Sequence, residues 1–185
     1  MNSTGIIILL IVAAVIIVAA LVFMTVRKRQ SQQLRERFGP EYDRVVNRER
    51  DTRKAEQVLA FRQQRREKFK VRNLSPTDRS SFLYHWNEVQ SRFGDDPKGA
   101  VTLAESLVID VMQTRGYPIA DFDQQATDIS VDHPVVMQNY RAAHDIALRH
   151  SRGQASTEDL GNAMVHYRVL FQELLDDRQP QRKGA

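Results

Sequence analysis

The run "IIILLIVAAVIIVAALVFMTV", from Ile6 to Val26, contains no charged residue and constrains the fold more than any other stretch of the chain. Its 21 residues would rise about 31 Å as a helix, close to the roughly 30 Å hydrocarbon thickness of a bilayer. Backbone groups in lipid need partners within their own segment, so one helix is the natural state of such a run. A cleaved signal peptide is the rival reading, but it needs a positive leader, a shorter apolar run and a small-residue cleavage site. Here the leader "MNSTG" is uncharged, and "VFMTVRKR" offers no A-x-A pattern. A retained membrane anchor is expected.

Flanking charge sets the orientation. Arg27, Lys28 and Arg29 abut the span, Arg35 and Arg37 follow, and no Lys or Arg precedes it. The positive-inside rule then places the N-terminus outside and the rest of the chain in the cytoplasm. These five residues are the candidate topology and lipid-headgroup residues. The span has no Gly-flanked pair of small residues and no internal charge, which fits a simple anchor.

The net charge of +4 conceals an asymmetry. Residues 27–72 hold 16 Lys/Arg against 7 Asp/Glu, whereas residues 73–185 hold 11 against 16. A basic front half reports on that half's partners. Gly39-Pro40 breaks any helix leaving the membrane, and Glu41 and Asp43 then suit the first turn of a new one. From there to about Lys70, with no internal Gly or Pro, the composition predicts one continuous helix. Its apolar positions do not sustain a heptad, because Glu49, Thr52 and Arg62 fall where a seam would need apolar residues. The plainest reading is a solvated helical spacer. Binding of anionic headgroups is compatible with it. Nucleic acid is not expected as a partner, since Arg interleaved with Phe61 and Phe69 comes with no recognised nucleic-acid module.

After residue 73, helix boundaries become legible. Ser75-Pro76-Thr77-Asp78 reads as a cap and first turn, and Phe82, Trp86, Val89 and Phe93 form one apolar stripe. Asp96-Pro97 opens a helix burying Val101, Ala104, Leu107, Val108 and Val111, which Gly116 and Pro118 stop. Asp121 caps a short turn, His133-Pro134 opens a further helix, and Ser156 with Asp159 caps the last. That last helix aligns Leu160, Ala163, Met164, Tyr167, Leu170, Phe171 and Leu174. No segment shows sustained period-two alternation, so the fold class expected is all-α.

His133, His144 and His150 look like chemistry at first sight. However, His144 and His150 are about 120° apart and roughly 9 Å along a helix, and His133 is about 16 Å from His144. Imidazoles sharing one zinc need nitrogens about 2 Å from it, so these three cannot form a metal site alone. A tertiary site could recruit them with His85, His166, Asp128 or Asp132, but boundary residues with ordinary hydrogen bonds are the commoner case. His133 has a specific structural role available, as a capping or entry residue before Pro134. The chain has no cysteine, which excludes disulfides and thiol chemistry. It also lacks Walker A, G-x-G-x-x-G, H-E-x-x-H, G-x-S-x-G, EF-hand and paired ExxH patterns.

Three stretches occur in an order that resembles an uncharacterised family of small bacterial proteins with an N-terminal membrane anchor. They are "LRERFGPEYDRVV", "RGYPIADFDQQATDISVDHPVVMQNYRAAHDIALRH" and "STEDLGNAMVHYRVLFQELL". The resemblance covers most of the chain beyond residue 34. It implies a bacterial source and a helical C-terminal domain, and it carries over no activity, cofactor or catalytic residue.

The organisation expected is a short tail (1–5), a single transmembrane helix (6–26), a basic helical stalk (27–72), a small bundle of about four helices (73–176) and a disordered tail (177–185). The function expected is that of a non-enzymatic interaction or scaffold protein of the bacterial inner membrane. It would present a helical module to a protein partner at the cytoplasmic face, without a cofactor, metal or catalytic residue. The alternatives are a histidine-based metal-dependent enzyme or sensor, and an extracytoplasmic or secreted envelope protein.

Overall fold

The structure is a computed structural model that describes residues 3–176, with side chains from residue 11 onward. The expected tail at 177–185 lies outside the described residues, and Ser3–Gly5 are already helical. Among the described residues the chain is all-helical, without a strand. The first helix, α1 (Ser3–Phe38), runs from the apolar segment through the basic residues without a break. Every position from Ile11 to Val26 is exposed. This helix is long and apolar enough to cross a membrane, and none of its most apolar window is buried against the rest of the protein. Gly39, at φ +45°, turns the chain into Pro40, the first residue of α2 (Pro40–Glu49).

The continuous stalk helix expected from Pro40 to about Lys70 is broken at Arg50-Asp51. Arg50 adopts the left-handed conformation (φ 54°) at the end of α2. The Asp51 carboxylate then accepts from the backbone N–H groups of Arg53 (2.8 Å) and Lys54 (3.3 Å), capping α3 (Thr52–Glu67). Neither Gly nor Pro is needed, because an Asp cap satisfies the orphan donors of the new helix. The reversal makes a hairpin that buries Tyr42 and Val45 of α2 with Ala55 and Leu59 of α3. Phe38 from α1 and Val131 from the bundle complete this small core, with Leu34, Val46 and Val58 at its edge. The segment read as a solvated spacer is therefore a folded hairpin packed on the rest of the protein. Its thin apolar content suffices because the hairpin pools both helices onto one patch.

The large core draws on α4 (Pro76–Arg92), α5 (Pro97–Thr114), α6 (Phe122–Ile129), α7 (Met137–Ser151) and α8 (Thr157–Leu175), with a 3-10 turn at Pro134–Val136. Caps behave as their side chains dictate. Ser75, Asp96 and Asp121 each accept from the backbone N–H three residues on, and Ser156 with Asp159 forms a full capping box. In α8, all seven residues of the expected stripe are buried, and α8 packs against both α5 and α7. Trp86 of α4 stacks on Phe171 of α8, with centroids 4.6 Å apart. At Gly116 (φ +92°), a Cβ would sit 2.6 Å from the Lys70 carbonyl oxygen. Only glycine permits that approach, which lets the Arg72 backbone N–H bond to the Arg115 carbonyl at 2.8 Å.

Candidate functional site

The five basic residues expected at the membrane edge all lie on α1, on a helix continuous with the apolar run. Lys28, Arg29 and Arg37 are exposed and make no ion pair among the described residues. Arg27 is half-buried. Arg35 is also exposed, but it pairs with Asp43 at 3.2 Å and lies 5.5 Å from the Tyr42 ring centroid. That pair is exposed and contributes little to stability. Just beyond Arg27, Lys28 and Arg29, Ser31 donates to the Glu56 carboxylate of α3, which also accepts from the Tyr42 hydroxyl at 3.0 Å. One carboxylate thus ties together α1, α2 and α3.

Deeper in the molecule, the hairpin meets the bundle through a charged seam. Glu41, 2 % exposed, stands at its centre. Arg141 of α7 grips it with two hydrogen bonds of 2.8 Å, Arg62 of α3 donates at 3.0 Å, and Arg44 reaches it at 3.3 Å. Arg62 is itself buried, donates to the Ser130 hydroxyl at 3.3 Å, and keeps an unpartnered Nε. Burial alone would push the Glu41 carboxyl up, but the hydrogen bonds and charges of Arg141 and Arg62 outweigh it and hold the group below the usual carboxylate value. Burial pulls Arg62 below its ordinary value, and Glu41 resists that shift.

Two further ion pairs extend the seam along α6 and the loop after it. Arg65 makes a two-point contact with Asp128, at 2.8 and 3.3 Å, while Gln124 donates to the same carboxylate. Arg66 pairs with Asp132, which also accepts from the Tyr117 hydroxyl at 2.7 Å. Burial, followed by the Asp132 charge, pushes the Tyr117 phenol well up. The basic excess of residues 27–72 is thus partly neutralised by the chain's own acidic half. Half-buried planar guanidinium forks on buried carboxylates give these contacts a fixed geometry.

The histidines are dispersed among separate contacts. His133 is buried with Nδ1 3.1 Å from a Glu173 oxygen and Nε2 unpartnered. It precedes the 3-10 turn, as an entry residue would, but its side chain makes no capping hydrogen bond. His144 stacks on Phe122 at 3.6 Å and reaches Glu105 at 3.1 Å. His166 contacts Asn139 at 2.8 Å, and the exposed His85 contacts Glu88 at 3.0 Å. Asp128 and Asp132 are committed to Arg65 and Arg66. Among the described residues, no three His, Asp or Glu side chains are grouped to share a metal ion.

Nothing in the sequence joins Glu41, Arg62 and Arg141 as a unit. A signal was present in Arg62, which sits on the same helical face as Ala55 and Leu59 where an apolar residue was wanted. A charge on a buried stripe demands a buried partner. Comparison with family models, curated proteins and solved structures finds no match to this chain.

Proposed function

We propose that the protein is a single-pass protein of the bacterial inner membrane, N-terminus outside, and that it holds a non-enzymatic helical interaction module at the cytoplasmic face. The observation carrying this reading is α1. Its side chains from Ile11 to Val26 are exposed on every side, a surface far too large and apolar to leave in water. The same helix then enters the protein's own core at Leu34 and Phe38. A bilayer around the first part and a folded domain around the last make sense of one unbroken helix.

Lys28 and Arg29 fall where the apolar run ends, so the positive-inside rule assigns the domain to the cytoplasm. The hairpin shapes the function further. A spacer would let the module swing, whereas the second core and the charged seam hold it close to the bilayer. Tethering raises the effective concentration of the module toward partners in or at the same membrane.

Extraction of membranes from cells making the full chain tests the anchor. Alkaline carbonate should leave the protein in the membrane pellet, and a non-ionic detergent should release it. Release by carbonate alone would contradict an integral anchor.

A further inference from the structure

The hairpin brings a second group of cations, distant in sequence, toward the end of the apolar helix. Ser31 lies five residues beyond Val26, about 7.5 Å along α1. Its hydrogen bond to Glu56 fixes the N-terminal part of α3 at that level. Arg53 and Lys54 are within one helical turn of Glu56, about 5 Å, and Arg50 occupies the turn just before them. All three are exposed and make no ion pair among the described residues. Of the nearby carboxylates, Glu49 pairs with Arg48 and Glu56 accepts from Ser31 and Tyr42, while Asp51 caps α3 and offsets part of the charge of Arg53 and Lys54.

We infer that Arg50, Arg53 and Lys54 join Lys28 and Arg29 in one discontinuous surface that binds anionic phospholipid headgroups of the bilayer holding α1. This rests on the membrane-anchor reading above. Charge complementarity argues for that occupant. A cytoplasmic leaflet carries negative surface potential, and its field reaches about one Debye length, roughly 8 Å, from the surface. The hairpin turn lies within reach of that layer once long Arg and Lys side chains extend from it. Lys28 and Arg29 by themselves fix orientation. Adding the hairpin turn fixes a second point of the domain on the membrane plane, which sets the rotation of the bundle about the anchor axis.

The test uses the full chain in lipid nanodiscs, either of phosphatidylcholine alone or containing phosphatidylglycerol. The rate of amine acylation at Lys54 is compared with that at Lys98, an exposed lysine of α5 in the bundle. Lys54 should react about fivefold more slowly, relative to Lys98, in the anionic discs, and high salt should remove the difference. The double variant Arg50→Gln/Arg53→Gln should shrink that lipid dependence, while Arg53→Lys should keep it. Incorporation with Lys54 indifferent to lipid charge would overturn this inference alone. Failure of the chain to enter either kind of disc would overturn the anchor reading, and this surface with it.

Discussion

Replacing Glu41 by glutamine should destabilise the junction between the hairpin and the bundle by about 3–5 kcal/mol, the usual cost of removing one partner from a buried ion pair. The reason is what remains rather than what is lost. Arg62 is 4 % exposed and Arg141 is half-buried, and both would face a neutral amide that offers a single acceptor oxygen. Amide hydrogen exchange across α2 and α3 of the full chain in detergent is the measurement, and protection there should fall by at least a hundredfold. The wild-type junction should also be acid-sensitive. The Glu41 carboxyl is held below its ordinary value of 4.5, so its contribution is present above that pH and lost as the pH falls below it toward the folded value. Glu41→Gln removes this part of the pH dependence. Equal protection in wild type and variant would show that the seam does not hold the hairpin.

Phe38→Ala should have an effect of similar size for an unrelated reason. Phe38 is fully buried in the small core with Tyr42, Val45, Ala55, Leu59 and Val131. Truncating such a side chain costs about 3–5 kcal/mol through lost transfer energy and the cavity left behind. A patch with so few apolar side chains has little with which to refill that space. The expected result is protease cleavage near Gly39 and Arg50 in the variant under conditions that leave the wild type intact. Meanwhile the fluorescence of Trp86, the chain's one tryptophan, should stay native, because it sits in the other core stacked on Phe171. Cleavage at the same rate in both proteins would mean that α1 ends in a loose stalk after all.

Both predictions lie in the region that the sequence disclosed least. In the bundle, local signals agree with one another. Ser156 caps where a Ser three residues before an Asp should, and every apolar residue of the α8 stripe is buried. Gly39-Pro40 likewise ends α1 where backbone chemistry requires. The hairpin was hidden because Arg50 takes a left-handed conformation that carries no residue-type signature. Nothing short of tertiary packing reveals that Tyr42 and Val45 meet Ala55 and Leu59. The charge asymmetry of the two halves was visible but pointed outward, to unknown partners. Part of it turns inward instead, through Arg65 with Asp128 and Arg66 with Asp132, while Arg141 with Glu41 crosses the same junction in the opposite sense. Sequence separation concealed these pairs, since ion pairs between distant segments leave no periodic mark.

For a chain anchored through α1 as proposed, the side of the membrane on which the domain resides decides which partners it can meet. The direct measurement fuses alkaline phosphatase and, separately, a cytoplasm-dependent fluorescent protein to the C-terminus and compares their activities in bacterial cells. Fluorescence without phosphatase activity is the predicted result, with Arg27, Lys28 and Arg29 retained in the cytoplasm. Phosphatase activity without fluorescence would contradict it, and would place the helical domain and its basic hairpin in the envelope.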